Sequence, residues 1–331
     1  MKKAVLVTGG AGYVGSVLIG ELLAKGYKVI CLDRFFFGGN SLKEFKSNPQ
    51  LTIVKDDTRQ FDPNILKNVS VVFDLAAIAQ PDPTEELNPK LFHEINYLGP
   101  VRVANLSKKY GVERYIFASS CSVYGFRKEI ISEDSPLNPI ESYGKTKAQA
   151  ERAILSISDK KFCATVLRFA TIYGLSPKMR FDLVVNGMTL SLFKTGKIKV
   201  MRDGTQWRPV IHVKDAVNAY LKIMEADKEE VNREIFNVGS NDQNFQIYHL
   251  AKLIGESVGI SYETEWYGEP DARSYRVDFS KITRVLGFRT EFTPKEGAKE
   301  VYDALRDGVI KDTPETYVIK WYRQLAERKV L

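Results

Sequence analysis

The sequence predicts an α/β protein whose core is a doubly wound parallel sheet, and three observations lead to this fold class. The first is a buried strand at residues 4–7 that continues through a glycine turn into a helix with apolar residues at helical spacing. The second is the alternation of short apolar strands with helical segments through the first half of the chain. The third is an acidic residue, Asp33, at the end of the second strand. Strands that are separated by helices pair in parallel, with right-handed crossovers.

The glycine turn, TGGAGYVGS, places Gly9, Gly12 and Gly15 between the first strand and the first helix. A pyrophosphate can approach the free amides of a helix N-terminus only where no Cβ blocks it. Short glycine patterns recur by chance in ordinary strand-turn-helix corners, yet this position is the one that a dinucleotide fingerprint requires. Asp33 is placed to accept hydrogen bonds from the ribose hydroxyls and to repel a 2′-phosphate. The sequence thus predicts NAD rather than NADP, although Arg34 could soften that preference.

The remaining elements follow from apolar runs and amphipathic spacing. We expect further strands at residues 28–32, 51–54, 71–75, 114–118, 164–170 and 234–238, and helices at residues 91–109, 216–224, 247–258, 294–307 and 314–328. Asp56 and Asp57 follow the third strand, at the sheet edge where ligands of open parallel sheets collect. Ala76 and Ala77 follow the fourth strand and are small enough for a cofactor to lie against.

Composition and charge exclude several classes of protein. The 331 residues can bury a substantial core, and the length suggests two lobes. The 48 basic and 41 acidic residues are spread along the chain, which predicts anionic small-molecule ligands and no nucleic-acid partner. Cys31, Cys121 and Cys163 fit neither a disulfide framework nor a zinc site, and His212 has no second ligand at metal-binding spacing. We therefore expect a cytoplasmic protein with no metal, membrane span or signal peptide.

Hydroxyl groups cluster at the end of the fifth strand, in the segment SSCSVYG at residues 119–125. Tyr143 and Lys147 follow in the segment SYGKTK, and their spacing places them one turn apart on the same face of a helix. A lysine ammonium beside a phenol stabilises the phenolate, so Tyr143 can act as a general base while Ser120 donates to the same substrate oxygen. A Tyr–Lys pair by itself is usually only a surface pair, and the nearby hydroxyl cluster favours the catalytic interpretation.

Together TGGAGYVGS, Asp33, DLAA at residues 74–77, SSCSVYG and YGKTK resemble the extended short-chain dehydrogenase/reductase family, in particular its UDP-glucose 4-epimerase-like group of nucleotide-sugar epimerases and dehydratases. The resemblance covers essentially the whole chain. It implies a Rossmann-type NAD-binding domain at residues 1–174 and 206–240. It also implies a smaller, discontinuous C-terminal α/β lobe at residues 175–205 and 241–331 that binds a nucleotide-diphosphate sugar. A homodimer is implied as well, through the helices that begin at Leu91 and Tyr143.

The resemblance also implies roles for individual residues. Ser120, Tyr143 and Lys147 would form the catalytic triad. The cofactor-binding residues would be Gly9, Gly12, Tyr13, Val14, Asp33, Asp57, Thr58, Leu75, Ala76, Ala77, Asn96, Ser119, Tyr143, Lys147, Phe169 and Thr171. The substrate-binding residues would be Ser120, Ser122, Arg180, Asn186, Arg208 and Arg273. Arg208 would hold the diphosphate, because guanidinium binds phosphate oxygens bidentately.

The reaction that follows oxidation at sugar carbon 4 depends on the surrounding groups. Dehydratases and UDP-glucuronate decarboxylases of this family carry an acidic residue where this chain has Ser122, and a hydroxyl is too weak a base to replace a carboxylate. We therefore expect a 4-epimerase that acts through a transient 4-keto sugar. An NDP-hexose or NDP-heptose 4-dehydrogenase or reductase is the open alternative. A non-enzymatic NAD-sensing protein fits less well, since such proteins commonly lose the tyrosine and the lysine.

The chain departs from the pattern of this family at two positions in its second half. Many epimerases carry asparagine where this chain has Thr171, a residue beside the expected nicotinamide position. An acidic residue is common where this chain has Pro209. His212 and Asp215 follow in the same segment, and we expect them to anchor a strand and cap a helix rather than to take part in chemistry.

Overall fold

The computed structural model describes residues 4–79, 88–269, 274–328 and 330. Its strands, in chain order, are β1 (Ala4–Thr8), β2 (Val29–Asp33), β3 (Leu51–Lys55), β4 (Val69–Asp74), β5 (Arg114–Ser120), β6 (Ile130–Ile131), β7 (Cys163–Phe169), β8 (Thr171–Tyr173), β9 (Lys197–Met201), β10 (Trp207–His212), β11 (Ile235–Val238), β12 (Asn244–Gln246), β13 (Glu263–Tyr267) and β14 (Arg276–Val277). Its α-helices are α1 (Tyr13–Ala24), α2 (Pro89–His93), α3 (Gly99–Lys109), α4 (Ser142–Ser156), α5 (Val184–Thr195), α6 (Val213–Glu225), α7 (Lys228–Val231), α8 (Ile247–Glu256), α9 (Ser280–Leu286), α10 (Pro294–Arg306) and α11 (Val318–Glu327).

A parallel sheet of seven strands lies at the centre of the described structure, in the order β11-β7-β5-β4-β1-β2-β3. The chain winds outward from β1 to β3 on one side and from β4 to β11 on the other, so the direction of winding reverses between β1 and β4. Successive side chains of a strand point to opposite faces, and two apolar cores result. One core packs α1 and α6 against the sheet, and the other packs α3 and α4. The predicted fold class is confirmed.

Two glycines make the turn between β1 and α1 possible. Gly9 has a φ of +65°, and a Cβ on it would lie 2.9 Å from the Cα of Ala76. A Cβ on Gly15 would lie only 2.3 Å from the carbonyl oxygen of Gly9. No side chain fits at either position, so the backbone itself forms the surface at the N-terminus of α1.

The helix that the sequence predicts at residues 91–109 is divided in the structure. A π-helical turn, Glu94–Leu98, separates α2 from α3. Pro100 lies in the first turn of α3 and has no N–H, so it cannot donate to a carbonyl of the preceding turn. Within the π turn, the side chain of Asn96 accepts from the backbone N–H of Ile78 at 2.8 Å and donates to its carbonyl at 3.1 Å. The irregular turn thus fixes the segment that follows β4.

Smaller sheets lie beside the large one. β10 pairs with β8 in parallel and with β12 in antiparallel, β9 pairs with β13, and β6 pairs with β14. A third apolar core joins α5, α8 and α10 to β9 and β10. The sequence predicts that residues 206–240 return to the Rossmann side. β11 does add an edge strand to the large sheet, whereas β10 pairs with β8, which leaves that sheet directly after β7.

His212 and Asp215 connect the start of α6 to the second half of the chain. The ring of His212 accepts from the N–H of Lys214 at 3.2 Å, and its other nitrogen lies 2.9 Å from Glu300 in α10. The carboxylate of Asp215 accepts from the N–H groups of Glu291 and Phe292 at 2.9 and 3.2 Å. These side chains therefore anchor backbone, as the sequence predicts.

Two kinds of feature are absent from residues 4–79, 88–269, 274–328 and 330. None of the helices in those ranges combines the length and the apolar character that a membrane crossing requires. The same ranges contain no group of three or more His, Cys, Asp or Glu side chains arranged to hold a metal ion.

Candidate active site

A cavity of about 990 Å³ brings together most of the residues that the sequence predicts for the site. It lies at the carboxyl ends of the strands, where open parallel sheets bind their ligands. The predicted residues that line it are Gly12, Tyr13, Val14, Leu75, Ala77, Ser119, Ser120, Ser122, Tyr143, Lys147, Phe169, Thr171, Arg180 and Arg208. Those outside its lining are Gly9, Asp33, Asp57, Thr58, Ala76, Asn96 and Asn186. Arg273 lies outside the described residues.

Tyr143 and Lys147 lie on successive turns of α4, as their spacing predicts. The Lys147 ammonium lies 5.7 Å from the centroid of the Tyr143 ring and donates to the carbonyl of Ala118 at 2.7 Å. Burial lowers the pKa of Lys147 to about 8, against the opposing charges of Asp74 and Glu151. The carbonyl of Ala118, at the end of β5, thus fixes the ammonium beside the phenol.

Arg180 places a second positive charge near the phenol. Burial raises the pKa of Tyr143 to about 12, and the charge of Arg180 acts in the opposite direction. The guanidinium is held by Asp182, through bonds of 3.1 Å from Nε and 2.8 Å from Nη2. Sequence reasoning assigns Arg180 only to the substrate, because no local spacing connects it to a residue of α4.

The three serines after β5 have different surroundings. Ser119 donates to the carboxylate of Glu151 in α4. The hydroxyl of Ser120 accepts from the N–H of Ser122 at 3.1 Å and begins a short 3-10 turn. The hydroxyl of Ser122 is buried in the cavity wall without a hydrogen-bond partner in the described structure. A buried hydroxyl normally has a partner, so Ser122 is a candidate to bond a ligand.

A buried ion pair lies beneath the serine turn. Arg168 of β7 and Glu151 of α4 are each 2% exposed, and Nη2 lies 2.7 Å from Oε2. Arg168 also donates to the hydroxyl of Tyr124 at 2.8 Å, and that hydroxyl donates to Asn237 at 2.7 Å. The pair therefore connects α4, which carries Tyr143 and Lys147, to the turn that carries Ser120. Sequence reasoning missed it, since its members belong to separate elements.

Backbone N–H groups hold the side chain of Asp33, which lies at the end of β2. Its carboxylate accepts from the N–H of Ala11 at 3.0 Å and from that of Phe35 at 2.6 Å. Burial raises the pKa of this carboxyl group, and the two amides oppose that change. Arg34 turns away from it and pairs with Asp57 at 2.8 Å. The cation that could soften the preference for NAD is thus bound to another carboxylate.

We expect Asp33→Asn to weaken NAD binding about tenfold and to reduce the discrimination against NADP. The charge of a carboxylate strengthens its bonds to ribose hydroxyls and repels a 2′-phosphate, whereas an amide does neither to the same extent. Titration calorimetry with both dinucleotides measures the change. The matched control is Asp242→Asn, at an exposed position of the second half of the chain. An unchanged ratio of the two affinities would contradict this role.

Asp57, Thr58 and Asn96 stand behind the cavity wall rather than in it. Burial would raise the pKa of Asp57, but bonds from Arg59 and the charge of Arg34 keep it below its ordinary value. Thr58 lies close to Gly99: a Cβ on Gly99 would be 2.9 Å from the hydroxyl oxygen of Thr58. Asn96 is fully buried against Ile78. Asp57 and Asn96 thus hold the backbone of Arg59 and Ile78, respectively.

Asn186 does not reach the cavity, in contrast to its predicted role as a substrate contact. It is fully buried in α5. Its oxygen accepts from the N–H of Gly174 at 2.9 Å, and its nitrogen donates to the hydroxyl of Tyr13 at 3.1 Å and to the carbonyl of Arg180 at 3.0 Å. The amide thus has partners on all sides and connects the glycine turn to the segment that carries Arg180.

The second half of the chain supplies the opposite end of the cavity. Arg208 lines it together with Tyr267 and Tyr275, and its guanidinium lies 5.6 Å from the centroid of the Tyr275 ring. The side chains of Lys199, Met201 and Ile247 complete this wall. Aromatic rings beside a guanidinium suit a nucleotide, because the rings can stack on the nucleobase and the guanidinium can bind the phosphates.

The C-terminal helix also closes part of the cavity, which sequence reasoning missed. Val318, Ile319 and Tyr322 of α11 line it. Trp321 donates to the carbonyl of Phe36 at 2.6 Å, and Tyr322 packs edge-on against Phe37 at 5.4 Å between ring centroids. The only sequence signal for this contact is an amphipathic, aromatic helix, which does not indicate its packing partner.

Comparison with known proteins agrees with this geometry. Residues 5–239 match the NAD dependent epimerase/dehydratase family. The chain is 28% identical over 316 residues to the putative UDP-glucose 4-epimerase of Methanocaldococcus jannaschii, covering 92% of this chain and 98% of that protein. It is 28% identical over 326 residues to the UDP-N-acetyl-alpha-D-glucosaminuronate decarboxylase of Bacillus cytotoxicus, covering 93% of this chain and 99% of that protein.

A solved structure extends the comparison to the cofactor. MoeE5 in complex with UDP-glucuronic acid and NAD is 29% identical, with a TM-score of 0.80 over 92% of this chain and 99% of that chain. The described residues fit NAD, since the backbone at Gly12 and Gly15, at the start of α1, lines the cavity and Asp33 ends β2. The chain therefore belongs to the NAD-dependent epimerase/dehydratase family, within the nucleotide-sugar epimerase group of the extended short-chain dehydrogenases/reductases, and its cofactor is NAD.

Proposed function

We propose that the protein is a nucleotide-sugar 4-epimerase that acts through a transient 4-keto sugar. The observation that carries this proposal is the set of groups in one cavity: Tyr143, Ser120 and the unpartnered hydroxyl of Ser122. The chemistry at carbon 4 needs a base and a hydrogen-bond donor, and these side chains supply both. Ser122 stands where an elimination or a decarboxylation would need a carboxylate.

In the proposed mechanism, Tyr143 removes the proton of the sugar 4-hydroxyl. Ser120 donates a hydrogen bond to the same oxygen as it becomes a carbonyl. The charge of Arg180 opposes the effect of burial on the pKa of Tyr143, and the ammonium of Lys147, 5.7 Å from the ring centroid, adds a second positive charge that stabilises the phenolate when it forms. Bound NAD supplies the hydride acceptor and donor for carbon 4. Tyr143 then returns its proton after the keto sugar has turned its other face.

Arg208 anchors the diphosphate while the sugar turns. Its guanidinium can bond two phosphate oxygens at once, and it lines the cavity beside the ring of Tyr275. Fixing the nucleotide there leaves the sugar free to rotate about the bonds to the diphosphate. In this proposal residues 1–174 and 206–240 hold NAD and residues 175–205 and 241–331 hold the sugar nucleotide, while Arg208 contacts the sugar nucleotide from the first of these parts. Two copies would form a homodimer through α2, α3 and α4.

Elimination and decarboxylation need a carboxylate at the position of Ser122, and the described carboxylates of the cavity wall lie elsewhere. In the described part of the wall, the carboxylates are Glu141 and Asp182. Asp182 is paired with Arg180, whose charge keeps the pKa of that carboxyl below its ordinary value despite burial. Glu141 precedes α4 and lies outside the serine turn. Neither occupies the position of Ser122.

Nucleotide sugars that carry deuterium at carbon 4 test the proposal. UDP-, GDP-, CDP- and dTDP-sugars are incubated with the protein, and the products are identified by NMR. We expect an epimer that retains deuterium at carbon 4, without net formation of NADH, because the hydride returns to the sugar that released it. A 4-keto product with stoichiometric deuterated NADH would instead establish a 4-dehydrogenase. A 4-keto-6-deoxy or decarboxylated product would contradict the role of Ser122.

A further inference from the structure

Lys178 is a buried cation whose ammonium contacts a backbone carbonyl and an aromatic ring. Its side chain is 9% exposed, and the ammonium donates to the backbone carbonyl of Glu315 at 3.1 Å. The ammonium also lies 3.9 Å from the centroid of the Phe37 ring. The neighbouring carboxylate of Asp182 is bound bidentately by Arg180. A buried ammonium that is bonded to a carbonyl rather than to a carboxylate is costly, so these surroundings suit an anionic ligand.

The position of Lys178 indicates which anion this is. Lys178 lines the same cavity as Gly12 and Gly15, the turn that receives the pyrophosphate of the cofactor. The ring beneath its ammonium, Phe37, follows the end of β2, where Asp33 receives the adenosine ribose. Arg208 lies with Tyr267 and Tyr275 at the wall assigned to the sugar nucleotide. Lys178 therefore belongs to the cofactor side of the cavity.

The ammonium is held by the same segment that closes this side. The N–H of Phe181 donates to the carbonyl of Thr316 at 2.9 Å, one residue beyond the carbonyl that receives Lys178. α11 follows directly, with Trp321 bonded to Phe36 and Tyr322 packed against Phe37. Lys178 and α11 thus approach one loop of the nucleotide-binding half from the second half of the chain.

We propose that Lys178 binds the pyrophosphate of NAD across the cleft and, with α11, holds the dinucleotide in place. The two negative charges of the pyrophosphate would supply a directly bonded counter-ion, which Lys178 does not have among the described residues, and charge-assisted bonds of this kind are strong. The inference rests on the NAD site of the family and is independent of the reaction at carbon 4.

Anion binding at Lys178 also predicts a proton linkage. Burial and the charge of Arg180 together lower the pKa of this ammonium to about 7, against the opposing charges of Asp182 and Glu315. A bound pyrophosphate would raise the pKa again. Protonation would therefore accompany NAD binding above about pH 7, and the affinity for NAD would fall as the pH rises through that range.

The test compares Lys178→Met with the wild-type protein. We expect the dissociation constant for NAD to rise about 10- to 100-fold, because the apolar stem remains while the charge is lost. Titration calorimetry without any sugar nucleotide measures this constant. The same titrations in two buffers of different ionisation enthalpy should show proton uptake at pH 8 in the wild type and none in the variant. The matched control is Lys252→Met, at an exposed position of α8, which should leave both quantities unchanged.

Two outcomes would overturn the proposal. One is an NAD affinity of Lys178→Met within twofold of the wild type. The other is an unchanged NAD affinity together with weaker binding of UDP alone, which would assign Lys178 to the diphosphate of the substrate. The melting temperature without NAD should not fall in the variant, because the substitution removes a poorly neutralised buried charge. Lys178→Gln provides the same comparison if the methionine variant does not fold. None of these measurements depends on turnover, so they remain valid if the proposed epimerase activity fails.

Discussion

Replacing Tyr143 by phenylalanine is expected to lower the turnover of a sugar nucleotide about 10²- to 10⁴-fold while the protein still holds NAD. The substitution removes only the hydroxyl that accepts the sugar proton. The aromatic ring remains and keeps its place beside the apolar cluster that includes Val318 and Tyr322 of α11. The measurement is the rate of product formation by NMR, together with the NAD content of the purified protein after heat denaturation.

The matched control is Tyr248→Phe. This tyrosine is 46% exposed on α8 and stacks on Trp266, outside the cavity lining. The control should keep wild-type turnover and NAD content. Unchanged turnover in Tyr143→Phe would remove the phenol from the mechanism. Loss of NAD together with turnover would mean that Tyr143 acts through cofactor binding instead.

Arg168→Met is expected to lower the free energy of unfolding by about 3–5 kcal/mol. The substitution leaves the carboxylate of Glu151 buried without its cation, between Ser119 and the sheet. The double variant Arg168→Met, Glu151→Leu should recover most of the lost stability, because it removes both buried charges and leaves neither without a partner. Urea unfolding of the wild type, the two single variants and the double variant measures the coupling.

The control for this cycle is a surface ion pair. Lys299 and Asp303 of α10 lie 2.6 Å apart with side chains 57% and 31% exposed, and Lys299→Met should change the stability by less than about 1 kcal/mol. Additive effects of the two buried substitutions would contradict a coupled pair. We also expect slower turnover in the stable double variant, because the pair connects the serine turn to the helix of Tyr143.

The placement of Tyr143 beside Lys147 and the glycine turn could be predicted, because each depends on local spacing. Tyr143 and Lys147 lie one turn apart in any regular helix, and Gly9, Gly12 and Gly15 act within a single turn. The fold class, the family and NAD are confirmed. The roles of the individual residues stay predictions.

Other features could not be predicted, because they join segments that are far apart in the chain. A helix begins at Val184, yet sequence alone does not decide which of its faces meets the cavity, and Asn186 is on the face that packs against Tyr13. The same limit applies to Arg180, whose charge acts on a phenol in α4. The π turn before α3 depends on Pro100 and on the contact of Asn96 with Ile78.

The sequence by itself determined the local elements on which the proposed chemistry depends: a glycine turn between the first strand and the first helix, an acidic residue at the end of the second strand, and a tyrosine one helical turn from a lysine. These features need only a strand, a turn or a helix, whose geometry is the same in every protein. The tertiary structure alone decided which distant charges surround that chemistry. Three contacts show this: Lys178 lies over Phe37, Arg180 lies near Tyr143, and Glu151 pairs with Arg168. Each contact depends on how distant segments of the chain pack together. Side-chain contacts of that kind leave no periodic pattern in the sequence.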